Sequence, residues 1–261
     1  MLSEENKRKI EELKQRRDEF RKREDVFTSA EFYAYVKRKA FTEPNYTPEK
    51  LKNLGVAEDR IPFFLDVEKK NNERAFDYFK EQIARKAPYS ERLTCDMHRE
   101  LMEGLLYDAG NYRSNRVLLN NTAIVPPNYI KIPSIMAQLE FDTYTQGQRT
   151  LDAAFHIHYT LLTTQPFSDA NKRTARLMMN LYLMERGYPP IFVENKDKPE
   201  YLASMEEKFV KDDENRYYSF MLDLLERSFN DVSSMKNEPV KVKHQSSVNL
   251  AVQKAVQNTK A

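Results

Sequence analysis

The sequence predicts a mainly α-helical protein, and three observations carry that expectation. Glycine is scarce, 5 residues in 261, where a turn-rich sheet protein needs many more. Apolar residues recur at three- and four-residue spacing along most of the chain, while 31% of it is charged. Two stretches, residues 151–163 and 171–187, are apolar nearly all round, the pattern of helices packed on every side. They are joined by a short loop, so they form the centre of the expected fold.

The other elements follow in order. Residues 3–25 hold nine basic and eight acidic side chains, with only Ile10, Leu13 and Phe20 as large apolar groups; the spacing predicts a solvated helix resting lightly on the body. Residues 27–41 give a stronger amphipathic helix, with Phe32, Tyr35 and Val36 on one side. Thr47-Pro48-Glu49 reads as a helix start, a Thr cap followed by Pro in the first turn. Residues 67–84 place Ala75, Phe76, Phe79 and Ile83 at core spacing, and within them 68–74 reads as an exposed, charged run without a function. Pro88 breaks the chain, and a helix from Ser90 to Leu106 carries Cys95 and His98 as expected packed side chains. Residues 112–125 read as a β-hairpin turned at Asn120-Asn121. A lone hairpin must lie on something, and its open edge suits an extended segment of another chain. Helices are then expected from Pro133 and over 199–210 and 216–229; from Ser233 the chain turns polar.

Three divisions follow: residues 1–93 as a helical extension packed on the core, 94–232 as the core, and 233–261 as a flexible polar tail. A net charge of +2 gives no field to steer the chain to nucleic acid or anionic lipid. The single Cys excludes an internal disulfide framework, and the first residues lack the pattern of a signal peptide. No apolar run approaches the ~20 residues of a membrane span. A soluble, cytoplasmic protein is expected, with a homo-oligomer left open.

Chemistry concentrates where the second central helix begins. Asp169-Ala170-Asn171-Lys172-Arg173-Thr174-Ala175-Arg176 sets an acid, an amide and three cations at the start of an apolar helix. Unpaired N–H groups and the positive dipole end favour an anion there. Lys172 and Arg173 run against the dipole, a conflict that phosphate oxygens between them would resolve. Arg173 and Arg176 lie three apart and can grip one polyphosphate. Asp169 offers a hard oxygen to Mg²⁺.

At these residues the sequence resembles the Fic/Doc family, whose signature is His-Pro-Phe-x-Asp/Glu-Gly-Asn-Gly-Arg-x-x-Arg. Here the stretch reads Gln165-Pro166-Phe167-Ser168-Asp169-Ala170-Asn171-Lys172-Arg173-Thr174-Ala175-Arg176. His158-Tyr159, Met97-His98-Arg99, Gly110-Asn111-Tyr112-Arg113, Pro126-Pro127, Ile132-Pro133 and Gly187-Tyr188-Pro189-Pro190 fit the family's order. The resemblance implies a Fic-type helical domain that uses ATP and Mg²⁺ to modify a protein hydroxyl, usually by AMP transfer. By matched position, Asp169 would bind Mg²⁺, Asn171 would help form the anion pocket, Arg173 would hold the phosphates and Arg176 would reach the far end of the triphosphate. The hairpin, with Val117, Leu118, Leu119, Thr122, Ala123 and Ile124, would be the flap on which the protein substrate docks.

Two departures bear on activity. Gln165 stands at the catalytic His, and a neutral amide cannot take a proton from an attacking hydroxyl; losing a general base costs about 10²–10⁴-fold. His158 lies about 10 Å back along its helix and should not reach. Ala170-Asn171-Lys172 replaces Gly-Asn-Gly and is similar to the Doc branch, in which the Lys blocks the α-phosphate pocket; Lys172 then implies phosphate rather than AMP transfer. The family's inhibitory pattern finds only a loose match, Ser234-Met235-Lys236-Asn237-Glu238, followed by Pro239. Gln165 fits three readings: a natural transferase of low or altered activity, a silent relative that binds nucleotide or peptide as an interaction module, and an engineered substitution in an active enzyme.

Overall fold

The computed structural model describes residues 1–22, 29–41, 46–145 and 149–235. Its α-helices are α1 (Glu4–Phe20), α2 (Ala30–Ala40), α3 (Pro48–Asn53), α4 (Ile61–Ala84), α5 (Glu91–Met102), α6 (Ile132–Thr145), α7 (Thr150–Thr164), α8 (Asn171–Glu185), α9 (Lys198–Lys211) and α10 (Asn215–Ser233). Among the described residues there is no strand, and no helix is long and apolar enough to cross a membrane.

α7 and α8 are the central pair. Twelve of the fifteen residues of α8 are buried, so it meets protein on all sides: α7, α4 and α5 pack against it. α8 ends where Gly187 takes φ +82, letting Tyr188 donate back to Leu183 O at 3.0 Å. A Cβ there would lie 2.7 Å from the Arg21 side chain, so the turn also admits the end of α1. Short polar side chains open the early helices: Ser3, Thr47 and Ser90 each accept a backbone N–H in the first turn.

The thin apolar stripe of α1 is enough to seat it. Leu13 and Phe20 are buried, and Phe20 meets Phe229 of α10 edge to face at 5.9 Å. Charges frame the contact, with Lys9 paired to Asp223 and Glu226. α5 stops four residues earlier than its periodicity predicts, because Asn71 of α4 takes the carbonyls of Leu101 and Glu103 at 3.2 and 2.8 Å.

Two expectations need correction. Residues 68–74 are not simply an exposed run: Glu68 and Asn71 are buried on the face of α4 that meets the core. A seven-residue polar run hides this, since only one helical face turns inward. The second concerns the flap. Asn121 takes φ 58, as a turn requires, but residues 117–125 form no β-hairpin. The Ala123 N–H donates instead to Glu206 of α9 at 2.9 Å, and Ile124 enters the core. The ends are gathered by one buried guanidinium: Arg113 donates to Asn115 O at 2.5 Å and Pro127 O at 2.8 Å. An isolated hairpin is marginal in water, and here side chains hold the loop in place of a ladder. The polar tail from residue 236 onward lies outside the described residues, as does most of the Ser234–Glu238 match.

Replacing Arg113 by Ala would orphan several carbonyls at once. The expected loss is about 3 kcal/mol of stability, with faster amide exchange across 114–127; exchange unchanged from the parent protein would refute the clamp.

Candidate active site

The loop 165–170 runs from the end of α7 to the start of α8, and both of its ends are left-handed. Gln165 has φ 46 and Ala170 φ 58, a conformation that costs an L-residue about 1–2 kcal/mol. Strain of this kind persists only where the surroundings over-determine the path. Here three side chains do so. Arg113 donates to Gln165 O at 2.7 Å and Thr164 O at 3.3 Å from beneath. Asn171 closes the loop on itself, accepting from Phe167 N at 2.9 Å and donating to Phe167 O at 2.8 Å. His98 reaches across from α5, its ring stacked on Phe167 with centroids 3.8 Å apart.

The partners of His98 define its state. The Gly110 N–H donates to Nδ1 at 2.9 Å, so the proton is on Nε2, which donates to Asp169 O at 3.2 Å. Burial pulls its pKa down from 6.5 to about 4. Gly110 has φ +80, and a Cβ there would meet Arg99 at 2.8 Å, so the close approach needs glycine. His98 is thus packed, as expected, and also positions the loop.

Above the loop lies a cleft of about 420 Å³, lined by Gln165, Ser168, Asp169, Asn171, Lys172, Arg173, Arg176 and, from outside the motif, Lys50, Val193, Lys198, Tyr201 and Leu202. Five cationic side chains and one carboxylate face a volume of nucleotide size. The helix-capping residue of α8 is Ala170, which has no side-chain oxygen, so no side chain caps this N-terminus. Asp169 does not serve as the cap; its Oδ1 accepts from Ala170 N at 2.6 Å and its Oδ2 from the Tyr46 hydroxyl at 2.9 Å. Burial, then the charge of Asp169, push the Tyr46 phenol up, so it stays protonated as donor.

The sequence-predicted residues are therefore together, in differing states. Lys172 is exposed and Arg176 half-buried; Arg176 Nε donates to Lys172 O at 3.2 Å. Asn171 spends its amide on the loop and shapes the pocket rather than reaching into it. Gln165 is buried, with Nε2 turned back to donate to Leu162 O at 2.7 Å. Arg173 is engaged from α4 and α5: Nη1 lies 3.3 Å from Glu68 Oε1 and 3.2 Å from Asn72 Oδ1 of α4, and Nη2 is 3.4 Å from Met102 Sδ at the end of α5. Glu68, Asn72, Tyr46, Lys50 and Lys198 were missed by sequence reasoning, since nothing in the motif points to α3, α4 or α9, or to the residues just before α3. Arg113 and His98 stood in the quoted motifs without a role.

Among the described residues, no histidine lines the cleft. His158 is fully buried, its Nδ1 2.8 Å from Tyr217 Oη and its Nε2 3.1 Å from Tyr201 Oη. Tyr217 donates to Phe155 O, so Nδ1–H donates to Tyr217 and Tyr201 donates to Nε2. Burial lowers the His158 pKa to about 3.

This is the geometry of a helical domain built around a cation-lined loop and an uncapped helix start. Residues 88–183 match the sequence profile of the Fic/DOC family, and the chain carries a Fic/DOC family domain there. Over 113 residues it is 32% identical to protein adenylyltransferase fic-1 of Caenorhabditis briggsae, a stretch of 42% of this chain and 22% of that protein. The match thus spans about a fifth of that relative's length. The structure of Fic-1 (residues 134–508) from C. elegans superposes with a TM-score of 0.65 at 20% identity, covering 87% of this chain and 72% of that one. IbpAFic2, in its structure covalently tethered to Cdc42, gives 0.55 at 12% identity, covering 88% and 71%. At these identities the superpositions establish the Fic fold.

Two outcomes are expected. His98 and His158 have folded pKa values below 6.5, so the unfolded chain takes up protons first as pH falls. Stability is full above about pH 6.5 and declines toward pH 4, each group adding about 1.4 kcal/mol per pH unit. Thermal melts across that range read the slope, and a flat profile would contradict it. Glu68→Gln strips the buried Arg173 of its counter-ion and should cost about 3 kcal/mol in urea unfolding; a neutral outcome would show the pair to be incidental.

Proposed function

We propose that this chain is a Fic-type transferase that binds ATP with Mg²⁺ in the cation-lined cleft and transfers part of it to a protein hydroxyl, with Gln165 limiting the rate. The observation that carries the reading is the coincidence of an uncapped N-terminus of a buried helix with five cations and one acid. The names of the relatives, protein adenylyltransferases, support AMP as the transferred group. In this reading residues 94–232 are the catalytic core, and 1–93 an extension that supplies Tyr46, Lys50 and Glu68 to it.

The donor set fits Mg²⁺. Asp169 offers one carboxylate on the cleft wall, and among the described residues no three His, Cys, Asp or Glu side chains gather into a metal cage. Magnesium commonly binds in this way, through one or two carboxylates plus substrate phosphates. Held by Asp169, it would neutralise phosphate charge. The N–H groups of Asn171, Lys172 and Arg173 face phosphate oxygens with the helix dipole behind them. Arg176 grips the outer phosphates. Arg173 joins only by giving up part of its hold on Glu68, so ATP competes with that carboxylate.

The target protein would lie along residues 117–125, where Leu118 and Val125 are exposed and the extended backbone carries no ladder. IbpAFic2 tethered to Cdc42 is a case of a Fic protein joined to a protein target. A second reading is favoured by Lys172. Its side chain stands at the cleft where the family has Gly, and would exclude the usual α-phosphate position, so that the γ-phosphate is transferred.

ATP labelled at the α- or the γ-phosphate, given with Mg²⁺ and a lysate of the source to the chain and to Gln165→His, separates these. The His variant is expected to raise transfer about 10²–10⁴-fold, and the labelled position names the group. Bound ATP with no transfer by either protein would reduce the chain to an interaction module; no ATP binding would overturn the reading.

A further inference from the structure

α6 is apolar on both of its faces. On one, Ile132, Met136, Leu139 and Thr143 are buried, where α7 and α5 pack against the helix. On the other, Phe141 is 62% and Tyr144 87% exposed, with Pro133 and Ala137 exposed before them. Ile130, in the 3₁₀ turn Tyr129–Lys131 that leads into the helix, is 72% exposed. At 3.6 residues per turn, positions 133, 137, 141 and 144 share a strip about 80° wide. A surface helix ordinarily gives its outward side to charged and polar residues, and 31% of this chain is charged. The two charged residues of α6 instead stand beside the strip, each engaged: Glu140 accepts from Glu91 N at 2.7 Å, and Asp142 lies 3.4 Å from His156 Nε2.

The order of residues along the strip says what covers it. Counted from Ala137, Pro133 and Phe141 stand four residues to either side, and Ile130 and Tyr144 stand seven. Two copies of such a helix, laid antiparallel about a two-fold axis at Ala137, bring each position before Ala137 opposite the one equally far after it. Phe141 then meets the partner's Pro133, and Tyr144 meets the partner's Ile130, a ring against a smaller group at all four places. Ala137 lies at the crossing, where a small side chain lets the two axes approach. Self-pairing about a two-fold axis also sets charges near their own images, so it requires a strip free of charge. A partner of unrelated sequence would have no use for this symmetry.

We propose that this strip is an interface between two copies of the chain, antiparallel at α6 and centred on Ala137. A strip about 21 Å long on a helix about 10 Å across, even counted on both copies, falls below the ~1,200 Å² at which stable complexes begin. The dimer is therefore in exchange with monomer and forms as concentration rises. Its energy lies in the rings of Phe141 and Tyr144, the groups with most apolar surface left to bury.

Sedimentation of the full chain across the micromolar range tests this, with hydroxyl-radical oxidation of Phe141 and Tyr144 followed in parallel. The mean mass is expected to rise toward twice that of the chain, and both rings to become protected over the same concentrations. Phe141→Asp, a change at an exposed position, should weaken association at least about tenfold by seating an uncompensated charge in the interface, with the melting temperature of the dilute protein unchanged. Pro133→Lys should weaken it too. The double variant Pro133→Lys/Phe141→Asp sets each new acid against a new base of the other copy, and should associate more tightly than either single variant. That recovery reads the antiparallel register, since within one chain the two positions lie about 12 Å apart along the helix. A monomer at every concentration, association untouched by Phe141→Asp, or a double variant no tighter than the singles would each overturn the inference. Rings already protected in the dilute monomer would show that the chain covers the strip itself, and would overturn it as well.

Discussion

The structure depends on a helix that is buried along its length and must still begin at a solvent-filled cleft. α8 has nearly every side chain in the core, so its position is fixed by packing on α7, α4 and α5. Its first N–H groups then have nowhere to turn but the cleft, and the residue before it has no side chain able to satisfy them. Everything else at the site answers to that constraint. The loop that reaches α8 must reverse within six residues, which forces left-handed backbone at Gln165 and Ala170, and the strain is held by Arg113, His98 and Asn171. These three side chains come from different parts of the chain, and each bonds to backbone atoms of the loop or its neighbours. The site is rigid because its scaffold is over-constrained.

Charge is handled with equal economy. Five cations around one cleft repel each other, and in the absence of an anion something must offset them. Glu68 does so for the most buried of them, Arg173, and desolvation would otherwise lower that guanidinium's pKa further. Tyr46 gives Asp169 a neutral donor in place of a second cation. The carboxylate is thereby held by a hydroxyl as well as by the Ala170 N–H.

Much of this was legible in the sequence, and the exceptions have physical causes. The apolar runs of α7 and α8, and the stripe of Leu13 and Phe20 in α1, are patterns of burial, which periodicity reads well. The gathering of cations at the start of α8 was visible because cations at a helix N-terminus contradict the dipole. The flap was misread because residues 117–125 have strand-like side chains, while the decision to pair lies with Arg113 and Glu206, which bond to the backbone from elsewhere. Glu68 was misread because a carboxylate among lysines looks the same whether it faces water or a buried arginine. Sequence reasoning saw the elements that bury area and missed those that satisfy single atoms.

The engagement of Arg173 by α4 also bears on what counts as a unit. Sequence similarity marks out residues 88–183, yet the counter-charge for the arginine, the hydroxyl that holds Asp169 and the partners of His158 all lie beyond those limits, at Glu68, Tyr46, Tyr201 and Tyr217. A fragment cut to the matched boundaries would keep every letter of the motif and lose the counter-charge and hydroxyl that balance Arg173 and Asp169. The segment matched by sequence and the one that balances its own charges therefore differ.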